Sequence, residues 1–334
     1  PPDPAMTANP DPGDAGFLDR PVAAVTGGTG FLGRFIVRAL DAAGYRVRLL
    51  VRGDPTHPLF ADLRLELVPG DMGDARALAR LVDGAAVVVH GAGLIKAARR
   101  EQFMAVNRDG SHRVAEAVAS HAPGTNLLLI SSLAAREPQL SPYAASKRAG
   151  EEAARAVLGD QRLLIVRPPA IYGPWDRETL AVFKAAAGPI APLLGGPDAR
   201  IALIHVEDCA AAIAALARAG TVGAVLELAD DNPAGYGWDV LAAAAAAALG
   251  TRPRRLRIPA AALRVAGVLG SLGAAVTGRA VMVTTGKVRE VLHDNWSVRA
   301  ERLPPASLWR AQRDLKAGFQ SVADWYRQAG WLDR

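Results

Sequence analysis

Tyr143 and Lys147 have the side-chain types and the spacing for proton transfer. They are four positions apart in YAASK, so a helix would place both side chains on one face. A lysine ammonium beside a phenol favours the phenolate and lowers the tyrosine pKa towards working pH. Ser131 and Ser132 end an apolar run shortly before, and a hydroxyl at that point could hold the same substrate oxygen. These residues indicate proton transfer at a carbonyl or alcohol oxygen.

A glycine-rich turn near the start of the chain predicts a dinucleotide site. TGGTGFLG supplies Gly27, Gly30 and Gly33 between an apolar run and an amphipathic segment. The first glycine permits a tight turn, the second lets the backbone approach a pyrophosphate, and the third lets the following helix pack close to the sheet. The helix N-terminus would then face the anion. The alternative is a glycine-rich turn without a ligand.

The cofactor preference depends on the residue that closes the second predicted strand. Arg52 stands there, 19 positions after Gly33, and an arginine can pair with the 2′-phosphate of NADP(H). Arg34 is a second candidate phosphate contact, whereas Asp54 could weaken such a site. These residues favour NADP(H), with NAD(H) as the alternative. The alternative is that both arginines are solvated surface residues.

The pattern around these residues predicts an α/β protein with a Rossmann-type doubly wound parallel sheet. Short apolar runs alternate with helical patterns, which is typical of strands covered on both faces. The predicted strands are 22–27, 46–52, 63–71, 85–93, 126–132 and 162–169. Such a sheet would bring the strand ends, and the residues above, to one edge.

The division of the chain is predicted from where this alternation weakens. We expect a flexible tail at 1–19, a nucleotide-binding domain at 20–174 and a smaller, mainly helical substrate lobe at 175–334. Some segments of the lobe should return to the main sheet, such as the apolar run at 224–230. Asp208 is predicted to cap the helix that follows it, and the chain after position 260 is predicted to be helical.

Composition and charge exclude several other classes. Apolar residues make up 50% of 334 residues, which is typical of a globular protein. A single cysteine, Cys209, excludes an intrachain disulfide, and no metal site is expected. The net charge is +6 without a nucleic-acid-binding motif, so no nucleic-acid partner is expected. No signal peptide or transmembrane segment is recognisable, which predicts a cytoplasmic protein.

The motifs taken in order resemble those of a known family. TGGTGFLG, GDMGD, VVVHGAG, MAVNRDGS, ISSLAA, PYAASKRAGE, RPPAIYGP and IHVEDCA follow the order seen in the extended short-chain dehydrogenase/reductases. This group is also called the NAD-dependent epimerase/dehydratase family. The resemblance is strong over about 21–210 and weaker in the C-terminal lobe.

The resemblance implies a role for each matching residue. Tyr143 would be the acid/base, Ser132 or its neighbour Ser131 would contact the substrate hydroxyl, and Lys147 would bind the cofactor ribose and tune Tyr143. Asn107 would hold the catalytic helix or a water in a proton relay. The implied cofactor-binding residues are Gly27, Gly30, Phe31, Leu32, Gly33, Arg52, Asp71, Met72, Gly91, Ala92, Gly93, Tyr143, Lys147 and Pro168.

Departures from the family narrow the implied reaction. Sugar dehydratases of the family resemble Ser/Thr-Asp-Glu after the fifth strand, whereas this chain has Ser-Leu-Ala-Ala from Ser132. The sequence as a whole is most similar to the 3β-hydroxysteroid dehydrogenase and dihydroflavonol reductase branch of the family. This implies interconversion of a ketone and a secondary alcohol on a small molecule, lipophilic or sugar-like. The alternatives are an NAD-dependent nucleotide-sugar epimerase and a non-catalytic NADP(H)-binding accessory or sensor protein. The family often forms homodimers through the helices that carry Asn107 and Tyr143.

Overall fold

The computed structural model describes residues 16–277, 281 and 283–332. Most of the predicted tail at 1–19, and the last two residues of the predicted lobe, therefore lie outside the described residues. The strands are β1 (Val22–Thr26), β2 (Arg46–Val51), β3 (Glu66–Pro69), β4 (Ala85–His90), β5 (Asn126–Ile130), β6 (Leu163–Arg167), β7 (Ala170–Tyr172), β8 (Ile190–Leu193), β9 (Arg200–Ile201), β10 (Leu203–His205), β11 (Ala224–Glu227), β12 (Arg254–Arg257) and β13 (Asn295–Trp296).

The helices alternate with these strands in the first half of the chain and predominate in the second. They are α1 (Phe31–Ala42), α2 (Ala75–Val82), α3 (Arg100–Phe103), α4 (Asp109–His121), α5 (Pro142–Leu158), α6 (Leu180–Ala187), α7 (Val206–Arg218), α8 (Trp238–Leu249), α9 (Ala260–Thr277), α10 (Thr285–Val291) and α11 (Leu315–Gln328). A π-helical turn, Met104–Arg108, joins α3 to α4.

A seven-stranded sheet in the order β11-β6-β5-β4-β1-β2-β3 forms the centre of the molecule. Every neighbouring pair in it is parallel. All five residues of β1 are buried, as expected for a strand covered by helices on both faces. The predicted Rossmann-type doubly wound sheet is therefore confirmed.

Two helical layers cover this sheet. α1 and α7 pack together on one face, where their apolar side chains join those of β1, β2 and β6 in one buried cluster. α2, α4 and α5 contribute to the cluster on the other face. The helices that connect the strands therefore lie on both faces of the sheet. The loops at the C-terminal ends of the strands lie at one edge, where doubly wound folds bind their ligands.

A third buried cluster lies in the C-terminal half of the chain. It joins α6, α8 and α11 through large side chains, among them Tyr172, Phe183, Phe319 and Tyr326. β11, which also comes from the C-terminal half of the chain, pairs with β6 in the main sheet. The boundary predicted at 174 stays a prediction.

Two local expectations differ from the structure. α7 begins at Val206, and its cap is His205, whose Nδ1 accepts from the Glu207 N–H at 3.3 Å. Asp208 instead lies inside the helix and pairs with Arg313 at 3.2 Å. The chain after 260, predicted to be helical, also includes β13 and a stretch without a helix at 303–314.

Candidate active site

The C-terminal ends of β1, β4 and β5 bring three predicted site segments together. The glycine-rich turn follows β1, Gly91–Gly93 follows β4, and Ser131 and Ser132 follow β5. β1 and β4 are neighbours in the sheet, and the strand order reverses there. This reversal opens the crevice in which doubly wound folds bind their ligands.

The glycine-rich turn has the geometry of a phosphate cradle. Gly27 has φ +75°, a conformation that residues with a side chain rarely adopt. A Cβ at Gly33 would overlap the Gly27 carbonyl, so only glycine lets α1 start this close to β1. Gly30 precedes α1 without a side-chain cap, which leaves the first N–H groups of the helix to a ligand or water. The turn fits a dinucleotide.

The segment after β4 lies directly against this turn. The Gly91 N–H donates to the Thr26 carbonyl at 3.0 Å, and the Ala92 N–H donates to Thr26 Oγ1 at 3.3 Å. A side chain at Gly27 would overlap the Gly91–Ala92 backbone. The two loops therefore support each other.

His90, the last residue of β4, holds these loops through hydrogen bonds of its buried ring. Its Nδ1 lies 2.6 Å from Thr26 Oγ1, and its Nε2 lies 3.2 Å from Ser111 Oγ. Burial lowers the pKa of His90 to about 3, so the ring is neutral near pH 7. A neutral imidazole can accept one bond and donate the other, and here it links β1, β4 and α4.

Asn107 joins the loop after β4 to α5. Its Oδ1 accepts from the Leu94 N–H at 2.7 Å, and its Nδ2 donates to the Leu94 carbonyl at 3.0 Å and to Ser146 Oγ at 2.8 Å. It is 3% exposed and lies in the π-helical turn, a distortion frequent at functional sites. The bond to Ser146 links the turn to α5, and the role of Asn107 in holding that helix stays a prediction.

Tyr143 and Lys147 lie on α5, which begins at Pro142 behind a Ser141 cap. Both side chains are partly buried. The Tyr143 ring packs edge-on against Phe103, with 6.2 Å between ring centroids. Lys147 Nζ donates to the Ile130 carbonyl at 2.7 Å, at the end of β5. The helix and the sheet edge therefore hold the pair beside the end of β5, which Ser132 follows.

The environment of Tyr143 differs from the expectation drawn from its spacing to Lys147. Burial raises the pKa of Tyr143 to about 12, and an interaction with the Ser132 hydroxyl opposes this rise. This direction is opposite to the predicted lowering, because desolvation of the phenolate outweighs the interaction with Ser132. Burial also lowers the pKa of Lys147 to about 8, and the Glu151 carboxylate opposes that change. At neutral pH the phenol is protonated and Lys147 is mostly charged.

The two serines after β5 have different surroundings. Ser131 is buried, and its hydroxyl donates to Glu151, which also pairs with Arg167 at 2.6 and 2.8 Å. Ser132 is partly exposed and interacts with Tyr143, while its Oγ accepts from the Ala134 N–H at 3.2 Å. The geometry therefore groups Ser132, rather than Ser131, with Tyr143.

The remaining predicted cofactor residues lie around the same sheet edge. Arg52 is exposed and makes no hydrogen bond or ion pair with the described residues. The Asp54 carboxylate accepts from the Thr56 N–H at 3.0 Å and from its hydroxyl at 2.7 Å. The carbonyl of Pro168, after β6, accepts from the Leu133 N–H at 2.8 Å.

Asp71 and Met72 follow β3. Asp71 accepts from the Gly73 N–H at 2.7 Å, whereas α2 is capped by Asp74. Met72 packs against the core on the α4 side of the sheet, beside Gly110. The structure therefore leaves the Asp71 carboxylate exposed at the edge where an adenine is predicted.

Sequence reasoning missed several residues that organise the site. Ser146 is fully buried and donates to the Tyr143 carbonyl at 2.7 Å, which connects Asn107 to the Tyr143 turn. Glu151 follows Lys147 by four positions on α5, and that spacing is a signal that could have identified it. His90 and Ser111 carry no such signal, because their contact depends on the packing of α4 on β4.

A sequence profile covers most of the region described above. The profile of the NAD dependent epimerase/dehydratase family matches residues 23–229. The chain belongs to this family. It is accordingly an NAD(P)-dependent enzyme of oxidoreductase type, as predicted, although the match does not distinguish the branches within the family.

One curated relative spans nearly the whole chain. The ceramide reductase of Caulobacter vibrioides (strain NA1000 / CB15N) is 48% identical over 316 residues, which cover 94% of this chain and 97% of the relative. This identity over 94% of the chain extends the similarity beyond residues 23–229, which the family profile matches.

Solved structures share the fold. The crystal structure of gox2253 superposes with a TM-score of 0.75 at 21% identity, covering 94% of this chain and 100% of that chain. DesIV, a dTDP-glucose 4,6-dehydratase from Streptomyces venezuelae crystallised with NAD and TYD bound, gives a TM-score of 0.69 at 22% identity, covering 93% and 99%. At this identity the similarity shows the fold alone.

Among the described residues, no helix combines the length and the hydropathy needed to cross a lipid bilayer.

Proposed function

We propose that this protein is an NADP(H)-dependent reductase that converts the ketone of a ceramide-type lipid to a secondary alcohol. The observation that carries the proposal is the 48% identity to the ceramide reductase of Caulobacter vibrioides over 94% of the chain. A ceramide contains a secondary alcohol on its long-chain base, so the substrate would be the corresponding 3-oxo compound. The earlier expectation of a lipophilic substrate is consistent with this class.

The arrangement of Ser132 and Tyr143 suits reduction. When bound, the reduced cofactor would supply a hydride to the carbonyl carbon. Tyr143, which is protonated at neutral pH because its pKa is raised to about 12, would give its proton to the carbonyl oxygen. Ser132 would hold that oxygen and stabilise its developing negative charge. The products are the alcohol and the oxidised cofactor.

The supporting residues would bind the cofactor and keep the acid in place. Gly27, Gly30 and Gly33 would hold the pyrophosphate, and Lys147 would contact the nicotinamide ribose. Asn107 would fix the start of α5 relative to the loop after β4. The free guanidinium of Arg52 supports a choice of NADP(H), because it is available to a 2′-phosphate. The lobe at 175–334 would recognise the lipid.

The sequence after Ser132 favours reduction over elimination. Positions 133–135 are Leu-Ala-Ala, so this segment has no carboxylate to serve as the additional acid and base that a sugar dehydratase needs. A reductase needs only the hydride, the tyrosine proton and a group that holds the oxygen.

The test is turnover of a short-chain N-acyl 3-oxo sphingoid base with NADPH or NADH. Oxidation of the cofactor is measured by the absorbance of the reduced nicotinamide, and the alcohol product is identified. Reduction that is faster with NADPH supports the proposal. Tightly bound NAD after purification together with no ketone reduction would overturn it in favour of an epimerase. Binding of NADPH without turnover of any ketone would point to an accessory protein.

A further inference from the structure

α9 presents an apolar surface to solvent. Val265, Val268, Leu269 and Leu272 are 60%, 49%, 64% and 57% exposed. Their spacing places them on one side of the helix, where they form an apolar stripe. Scattered exposed apolar residues are ordinary, but a contiguous set on one helix usually marks a binding surface.

The opposite side of α9 is fixed by its packing on the segment that leads into α10. A Cβ at Gly267 would meet Thr284 and Thr285, and one at Gly270 would overlap the Val283 carbonyl. Ser271 Oγ accepts from the Thr285 N–H at 2.9 Å. Because this close backbone approach orients the helix, the apolar stripe faces outwards.

The chain around the apolar stripe is basic. Positions 251–289 contain eight Lys or Arg residues and no Asp or Glu. All four residues of β12 are exposed, as are Arg252 and Arg264. Leu256 on β12 and Ile190 on the neighbouring β8 add apolar surface, at 46% and 49% exposed.

We propose that the apolar stripe and the arginines of β12 and α9 dock the protein onto an anionic lipid bilayer. Apolar side chains with flanking arginines and no carboxylates are the pattern of helices that lie in the membrane interface. The arginines would be attracted to anionic headgroups, while the stripe would enter the boundary with the acyl chains.

The docking face is connected to the candidate site. α10, on which α9 packs, contacts the start of α5: a Cβ at Gly286 would lie 3.0 Å from the Ser141 Cβ, and the Ser141 hydroxyl donates to Glu290. Tyr143 follows two residues later. Docking would therefore bring the Tyr143 end of the site close to the bilayer surface. Docking itself does not depend on the proposed reductase function.

The test is flotation of the full chain with vesicles of phosphatidylcholine, alone or with about 30% phosphatidylglycerol. The protein should float with the anionic vesicles, and the bound fraction should fall at high salt because exposed charges are screened. Leu269→Gln/Leu272→Gln should weaken the partition coefficient by about tenfold or more. Arg254→Gln/Arg264→Gln should weaken it by about tenfold as well, and only for anionic vesicles.

Matched controls remove the same side-chain types elsewhere. Leu18→Gln/Leu67→Gln changes leucines that are 52% and 47% exposed, and Arg76→Gln/Arg113→Gln changes exposed arginines on α2 and α4. Both controls should float like the wild type. Wild-type protein that binds neither vesicle, or stripe variants that bind as well as the controls, would overturn the proposal.

Two further readouts separate the competing explanations. If Leu269→Gln/Leu272→Gln converts a dimer to a monomer while the wild type ignores vesicles, the stripe is a self-association surface and membrane docking is wrong. If the reductase proposal holds, the same variant should turn over a detergent-solubilised ketone at the wild-type rate and a vesicle-embedded one more slowly. Vesicle binding without ketone turnover would overturn only the reductase proposal.

Discussion

The candidate site depends on Tyr143 and Lys147, and burial shifts the pKa values of these two side chains in opposite directions. The pKa of Tyr143 is raised to about 12 and that of Lys147 is lowered to about 8. Removal from water penalises the charged form of each group, which is the phenolate in one and the ammonium in the other. At neutral pH the tyrosine is an acid with a cation nearby, which matches the needs of ketone reduction better than those of alcohol oxidation.

Tyr143→Phe should bind the cofactor normally and lose most turnover. The substitution removes only the hydroxyl that would give the proton, and general acid catalysis typically contributes about 10²- to 10⁴-fold. NADPH fluorescence titration and kcat for the 3-oxo substrate measure the two effects separately. Tyr45→Phe, at a buried tyrosine of the sheet core, is the control and should be nearly unchanged. Near-wild-type kcat in Tyr143→Phe would contradict the mechanism.

The pH profile of reduction should reflect Lys147. Reduction needs the protonated forms of both Tyr143 and Lys147, so kcat/KM should be flat below about pH 7.5 and fall as the pH rises through about 8, where the lysine loses its charge. Lys147→Arg, whose guanidinium stays charged, should lack this fall even if it is slower overall. A wild-type profile that stays flat to pH 10 would show that the charge of Lys147 is not needed.

Arg52→Ala should weaken NADPH binding and leave NADH binding unchanged. A hydrogen bond to a charged group contributes about 1.5–3 kcal/mol, so the Kd for NADPH should rise about 10- to 100-fold. The measurement is fluorescence titration with each nucleotide, and Arg113→Ala on α4 is the control. Equal effects on both nucleotides, or none on either, would remove Arg52 from the 2′-phosphate site.

At the scale of elements, the site depends on distortions of regular structure as much as on the strands and helices themselves. The segment from Arg100 to His121 forms α3, a π-helical turn and α4, and the turn carries Asn107. The extra residue in a π turn changes the direction of the side chains after it. Asn107 can therefore bond both Leu94 and Ser146. The sequence does not predict this turn, because its residue types, Met-Ala-Val-Asn-Arg, also occur in regular α-helices.

Gly33→Ala should disrupt the β1–α1 junction. The new Cβ would overlap the Gly27 carbonyl, so α1 would have to move away from the turn that faces the pyrophosphate. We expect NADPH binding to weaken by about tenfold or more, measured by calorimetry together with the thermal midpoint. Gly124→Ala, where a Cβ would meet nothing within 4 Å, should bind normally. Unchanged affinity in Gly33→Ala would show that the turn does not cradle the cofactor.

At the scale of the whole molecule, an aromatic cluster joins the predicted halves. Trp175, the one non-glycine residue with positive φ (+64°) among those described, packs on Phe35 and His57 and on Trp325 of α11. Its neighbours therefore come from both sides of the predicted boundary at 174. Strained backbone of this kind persists only where the surrounding packing holds it.

Phe319→Ala should destabilise the protein strongly. Phe319 is 2% exposed and packs on Tyr172 and Phe183 at 5.1 Å between ring centroids. Loss of a buried phenylalanine typically lowers the free energy of unfolding by about 3–5 kcal/mol. Urea denaturation followed by circular dichroism measures this change. Leu67→Ala, at a leucine that is 47% exposed, should remain within about 0.5 kcal/mol of wild type. A comparably small change for Phe319→Ala would argue against a well-packed lobe core.

The sequence by itself determined the family, the doubly wound sheet and the order of the motifs, because apolar runs, glycine spacing and YAASK are local patterns. The same patterns indicated Tyr143, Lys147 and the glycine turn without any structure. Only the tertiary structure decided that Ser131 faces Glu151 while Ser132 interacts with Tyr143, and that burial raises the tyrosine pKa. It also decided that His205 rather than Asp208 caps α7, and that the apolar side of α9 faces outwards. Desolvation, helix orientation and contacts between distant segments depend on how elements pack, and no local spacing carries that information.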